Sequence, residues 1–490
     1  MSTNIKKQTL SSLLYKYLER IGHQGIVFTI QIILARLLSP DDYGYIALLV
    51  IFINISQIFV QSGLGKALVQ NKDAGDVDFS SVFYISLGMS VILYWILFFS
   101  APFIAGFYEK PELSSILRVL ALILIPGAFN SIQNAKVSKD MMFKKLLYST
   151  LGAAIISGAA GIAMAYLGYG VWALVSQQLI NQVAICVIMW FAVKWRPRAV
   201  FDIKRVKVLF SFGWRLLCSN LLNAAYENLR GIVVGMRYSA EALGFYDRGK
   251  QFPNIIINNI NSSTQVVMFP VLSKLQDDTA RMKSIMRRSI VTISLIIFPL
   301  MVGLAITAEP LIQLILTDKW LPAVPFLQIY CFTFAFFPIH TANLQAIKAQ
   351  GRIDWALKLE IIKVVTGISV LFITVFLFDS PIAIAFGGAA LSVISSFINA
   401  YPNKKLLNYS YIEQIRDILP QAAISLIMGA CIYPVTLLKL LPIITITTQV
   451  LAGAAIYITL AWVFKIESFI YIKDMVWKYL SKKLKRESKV

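Results

Sequence analysis

Fourteen apolar blocks separated by short polar loops divide this chain, near 14–38, 43–69, 80–108, 115–135, 146–167, 171–193, 208–236, 242–272, 285–307, 323–347, 356–378, 382–402, 418–437 and 443–465. Each has the length needed to cross hydrocarbon as a helix, roughly 20 residues. The pattern predicts an all-α polytopic membrane protein with about 14 transmembrane helices. Two blocks fit least well: 242–272 is unusually polar, and 323–347 contains Pro325 and Pro338. In the first of these, Asp247, Gln251, Asn254, Asn258, Asn261 and Gln265 recur every three or four residues. On a helix that spacing gathers them on one face. Unsatisfied amides in hydrocarbon cost several kcal/mol each, so the face must line a wet cavity or meet other polar helices.

Three further blocks carry polar faces. The first has Arg20, Gln24 and Gln31; the second has Asn54, Gln57 and Gln61; the seventh has Asn220, Asn223, Glu227 and Arg230, with Arg215 below them. The pairing follows an internal repeat. Leu38–Tyr45 is echoed by Tyr238–Phe245 at an offset of 200, and Pro126, Gln133, Lys136 and Phe143 match Pro338, Gln345, Lys348 and Trp355 at an offset of 212. Two parallel repeats with a site between them are a recurring transporter plan. The expected organisation is two pseudo-symmetric six-helix bundles, 1–200 and 201–410, around a central cavity. Two added helices (411–472) and a basic cytoplasmic tail (473–490) follow. Interhelical glue is the bland alternative for any one amide.

Charges inside a bilayer are functional candidates by default. Arg20, Arg215, Arg230, Arg248 and Lys250 together would make a cationic cavity, and guanidinium forks suit phosphate. Asn54, Gln57, Asn223, Tyr226, Gln251 and Asn258 complete the expected substrate-binding set. Glu227, Asp247, Glu360 and Lys363 are the candidates to carry a coupling proton or sodium ion. His23 and His340 are expected to be packing residues, and Gly161 and Gly387–Gly388 to mark close helix contacts.

Composition agrees with the block pattern. The 490 residues are 58% hydrophobic and 14% charged, against about 25% charged in soluble domains. A net charge of +21 invites a nucleic-acid reading, but its distribution excludes one. The basic residues cluster in alternate loops, at Lys136–Lys145, Lys194–Lys207 and Lys274–Arg288, while Ser39–Asp42, Leu167–Gly170 and Phe378–Pro381 carry almost none. That is the positive-inside pattern, and it puts both termini in the cytoplasm. The four cysteines stand singly in apolar blocks and are expected to be small buried residues. No nucleophile triad, metal-ligand spacing or phosphate loop is present in the sequence, which predicts a protein that is not an enzyme and needs no cofactor.

Several runs have a familiar form. Leu34–Gly44 (LARLLSPDDYG), Gly168–Val175 (GYGVWALV), Ala242–Arg248 (ALGFYDR), Phe269–Asp278 (FPVLSKLQDD) and Lys319-Trp320 before Pro322 and Pro325 resemble, in this order, bacterial polysaccharide exporters. The chain resembles a lipid-linked oligosaccharide flippase of the polysaccharide synthesis family, within the multidrug/oligosaccharidyl-lipid/polysaccharide exporter superfamily. That resemblance implies twelve or fourteen helices in two bundles around a cationic cavity. It also implies transfer of undecaprenyl-pyrophosphate-linked sugar units across the bacterial cytoplasmic (inner) membrane for capsule, exopolysaccharide or O-antigen. The pyrophosphate would meet Arg and Lys, and the sugars Asn, Gln and Tyr226. A polysaccharide polymerase and chain-length machinery are the implied partners. A multidrug exporter of the same superfamily is the alternative. It would favour acidic cavity residues, whereas the candidates here are mostly basic.

Overall fold

The computed structural model describes residues 3–61, 64–71 and 73–474, and no strand occurs among them. The tail from 475 onward lies outside the described residues. The chain divides into two compact units, Met1–Gly244 and Phe245–Val490.

The first unit is built from α1 (Thr3–Leu37), α2 (Pro40–Gln61), α3 (Leu64–Gln70), α4 (Asp76–Phe107), α5 (Glu112–Leu120), α6 (Leu124–Lys139), α7 (Phe143–Tyr166), α8 (Val171–Ala192) and α9 (Ile203–Arg237). The block expected near 115–135 is a bent span. A 3-10 turn at Ala121–Ile123 separates α5 from α6. Pro126 explains the break, since its ring crowds the carbonyl four residues earlier and it donates no hydrogen bond. Leu64, Leu68, Phe79, Phe83, Ile132 and Trp195 form the core under this bend. Gly158 lets Ile30 of α1 lie directly on α7, because a Cβ there would meet Ile30 at 2.2 Å. Gly161 admits Gln177 of α8 in the same way.

The segment from α8 to α9 is tied down by polar contacts. The Arg198 and Asp202 amides donate to Ser80 and Ser81, each at 2.9 Å. Arg198 and Arg205 pair with Asp76 and Asp78 at 2.8 and 3.1 Å. Asp202 then caps α9 by accepting from the Lys204 and Arg205 amides. In consequence α9, expected to open a second bundle, packs here on α2 and α3.

The second unit contains most of α10 (Ala240–Ser273), then α11 (Thr279–Ile306), α12 (Ala308–Leu316), α13 (Val324–Ala335), α14 (Phe337–Ala349), α15 (Ile353–Leu377), α16 (Pro381–Leu406), α17 (Tyr411–Ile432), α18 (Pro434–Leu437) and α19 (Pro442–Val463). The span with Pro325 and Pro338 is again broken, between α13 and α14, just before Pro338. Pro126 and Pro338 are the pair related by the offset of 212, so both repeats bend at the corresponding place. Gly387 does the close packing expected of it, facing Thr374 of α15. α17 packs on α11, and α19 on α17 and α12. Arg287 of α11 pairs with Asp417 and Glu467, both at 3.0 Å. The Tyr409 hydroxyl donates to the same Asp417 at 2.6 Å.

Among the described residues, eleven helical segments are long and apolar enough to cross a membrane. α1, α9 and α10, of 35, 35 and 34 residues, are long enough but are not among the eleven. Those three carry polar faces foreseen in the sequence. Of the cysteines, Cys331 is buried as expected, whereas Cys218 and Cys431 are exposed. Cys431 stands on an apolar span, where an outward thiol meets hydrocarbon and burial in protein is not required, whereas Cys218 stands on the more polar α9.

Candidate functional site

The first unit holds a half-open cavity of about 610 Å³. At about 30 Å³ per water molecule this is the volume of roughly 20 waters. Seven amide side chains line it: Gln57 and Gln61 of α2, Gln70 of α3, Asn130 and Asn134 of α6, Gln182 of α8 and Asn220 of α9. Ser131, Ser138 and Thr150 add hydroxyls, and Ile58, Val69, Leu146 and Ile185 supply apolar wall. No charged side chain lines it among the described residues.

Local structure explains how so many amides converge. Asn130 and Asn134 stand one turn apart on α6, below the Pro126 bend. Gln57 and Gln61 stand one turn apart on α2. Asn130 Nδ2 bridges to α8, donating to the Gln182 carbonyl at 3.0 Å and to Gln182 Oε1 at 2.9 Å. Asn130 is 5% exposed, and its own Oδ1 has no protein partner. A buried acceptor left in that state is costly unless water or a ligand reaches it.

The second unit uses the same residue types differently. Asn343, Asn403 and Gln414 are fully buried and bond to one another. Their bonds, at 2.7 Å each from Asn343 to Gln414 and from Asn403 to Asn343, are interhelical glue. At the offset of 212, Asn130 and Asn134 correspond to Ala342 and Ala346, both fully buried. The polar lining is therefore not a requirement of the bend itself.

The residues singled out in the sequence fall into separate groups. Gln57 lines the cavity of the first unit. In that unit Arg20 and Asn54 are exposed on α1 and α2, and Glu227 is exposed on α9. Arg230 is half-buried, its guanidinium 5.9 Å from the centre of the Tyr226 ring. The side chains of Arg215 and Asn223 lie outside the described residues. In the second unit Arg248 is 6% exposed, bonds to Gln251 and lies over the Trp320 ring at 5.6 Å. Lys250 is half-buried near the Tyr330 ring at 6.0 Å. Asn258 is exposed and donates to Asn254 at 3.0 Å. Asp247 is exposed, and Lys363 pairs with Glu360 of the same helix at 2.6 Å. His340 packs between Asn399, Ser392 and Phe337.

Asn130, Ser131, Asn134 and Gln182 were not singled out in the sequence. A signal existed: Asn130, Gln133 and Asn134 recur at three and four residues in an otherwise apolar block.

A helical bundle with apolar outer faces and an amide-lined cavity has the form of a multi-pass membrane transporter. Comparison with known proteins places the chain more narrowly. It belongs to the family described as polysaccharide biosynthesis protein, whose model matches residues 33–325, more than half of its length. It is 28% identical to the teichuronic acid biosynthesis protein TuaB of Bacillus subtilis over 386 residues, 78% of this chain and 79% of that protein. It is 20% identical to the lipopolysaccharide biosynthesis protein WzxC of Escherichia coli over 445 residues, 87% and 88% of the two chains. Among solved structures, the fold is similar to the lipid II flippase MurJ, with a TM-score of 0.73, 16% identity, and 92% and 98% of the two chains covered. It is also similar to a multidrug resistance transporter of the MATE family, with a TM-score of 0.60, 14% identity, and 79% and 96% covered.

Proposed function

We propose that this protein flips polyprenyl-pyrophosphate-linked oligosaccharide units across the bacterial cytoplasmic membrane, for assembly of a cell-surface polysaccharide. The observation that carries the reading is the amide-lined pocket of about 610 Å³, with no charged side chain among its described lining residues, inside a membrane-embedded unit. Family membership supports it, since a polysaccharide biosynthesis protein of this fold has a glycan to move. Amides and hydroxyls both donate and accept, as sugar hydroxyls require. Arg230 and Arg20, both on helices with polar faces outside the eleven apolar spans, are the candidates to meet pyrophosphate. Glu227, Asp247 and the Glu360–Lys363 pair are the candidates for ion coupling. The likeness to a multidrug transporter keeps drug export as the second reading. The absence of carboxylates among the described cavity residues weighs against cationic cargo.

The test is flipping by the full chain in proteoliposomes. An undecaprenyl-pyrophosphate-linked oligosaccharide is placed on the inner face, and a membrane-impermeant glycosidase outside reports its arrival. Protein-dependent digestion that responds to an imposed proton or sodium gradient is expected. Glycan that stays inside, with a cationic dye extruded instead, overturns the proposal in favour of the drug exporter.

A further inference from the structure

We infer that the cavity of the first unit is a sugar subsite: it seats uncharged pyranose rings of the cargo and leaves the pyrophosphate outside. This rests on the flippase reading and divides its substrate between two places in the protein.

The lining chemistry makes the choice of ligand. A phosphate buried here would face donors but no described cation, and a buried unpaired charge is far more costly than a buried hydroxyl. A metal or ammonium ion would find no described carboxylate. A neutral polyol suits the lining, because each Asn and Gln presents both donors and acceptors. The volume lies within the range of small-molecule sites, about 300–1,000 Å³.

Asn130 gives the site its second, independent mark. It is more than nine-tenths buried, its amide nitrogen is committed to Gln182, and its oxygen has no protein partner. That oxygen is closed off from solvent, so a sugar hydroxyl, as a donor, would satisfy it once the side chain turns toward the cavity. The buried alanines at the corresponding places of the second unit, Ala342 and Ala346, show that the bent span folds without these asparagines.

The separation from charge is readable along α9. Asn220 lines the cavity, and Arg230 stands ten residues further on. At 1.5 Å of rise per residue the two are about 15 Å apart along the axis. A glycan with its rings at Asn220 and its phosphates toward Arg230 would span that distance.

The experiment is equilibrium binding to the purified full-length protein in nanodiscs, with two probes. One is undecaprenyl pyrophosphate; the other is the same lipid carrying a neutral oligosaccharide of hexoses. The wild type is expected to prefer the glycosylated lipid. Asn134→Leu and Gln61→Leu, on different helices, are each expected to weaken glycosylated-lipid binding about tenfold, as for one or two lost hydrogen bonds. Binding of the bare lipid stays the same in both. Equal preference of the wild type for both lipids, or variants that lose both alike or neither, overturns the sugar subsite while leaving the flippase reading intact. A wild type that binds neither lipid overturns the flippase reading and this inference with it.

Discussion

Two arginines that the sequence treats alike occupy different surroundings. Arg248 is buried, bonded to Gln251 and set over Trp320. Arg230 is half-buried over Tyr226 on a polar helix. Truncating Arg248 removes a buried cation–π contact and takes the donor from the half-buried Gln251 amide oxygen, so Arg248→Ala is expected to cost about 1–3 kcal/mol of stability. Arg230→Ala removes a group with less packing to lose. It is expected to melt within a degree or two of wild type, on the order of the effect of a surface change, and to abolish surface-polymer export. Thermal denaturation in detergent, with export measured in the same strains, separates the two. A stable Arg248→Ala protein that fails to export would return Arg248 to the cationic site. The sequence shows that both charges are embedded, but not which one is packed. That depends on Trp320, more than 70 residues away in the chain.

At the scale of helices, the echo of Leu38–Tyr45 by Tyr238–Phe245 acquires a physical meaning. A Cβ on Gly44 would fall 1.9 Å from the Ala240 carbonyl oxygen, and one on Gly244 would fall 2.5 Å from that of Pro40. Pro40 corresponds to Ala240 and Gly44 to Gly244 at the offset of 200. The first turns of α2 and α10 thus meet reciprocally, each glycine under the other's backbone, as in a two-fold contact. Gly44→Ala is therefore expected to destabilise the protein, although alanine is intrinsically better in a helix by about 1 kcal/mol. Gly88→Ala on α4, with nothing within 4 Å of the added carbon, is expected to hold or raise the melting temperature. Equal melting of the two variants would mean that the crossing relaxes freely. The repeat was legible in the sequence, but the contact between the echoed turns was not. The sequence also hid the chamber, because Asn130 and Asn343 look alike in one dimension. Neighbours decide their fates: the Asn130 amide bridges to Gln182 beside open space, whereas Asn343 is closed in by Gln414 and Asn403.

For the molecule as a whole, hydrocarbon and membrane charge are the external constraints. Trp95, Phe99 and Phe103 on α4 and Phe372 and Phe376 on α15 are exposed, as lipid-facing residues must be. Such apolar exteriors made the spans legible in the sequence. The exceptions, α1, α9 and α10, were legible for the opposite reason, since their polar faces break the pattern. Which end faces the cytoplasm is a matter of charge. The Lys194–Lys207 segment, anchored on Asp76 and Asp78, is basic, while the Leu167–Gly170 turn carries no charge. The positive-inside rule places the first in the cytoplasm and the second outside. Single cysteines at Ala199→Cys and Tyr169→Cys, in a background lacking Cys186, Cys218, Cys331 and Cys431, test this in intact spheroplasts. Both positions are exposed, so a membrane-impermeant maleimide should react wherever it has access. Labelling is expected at once for Tyr169→Cys and only after permeabilisation for Ala199→Cys. The reverse order would turn the chain over in the bilayer. The anchored basic segment would then lie on the outer face, and a cargo made in the cytoplasm would meet the protein from its uncharged end.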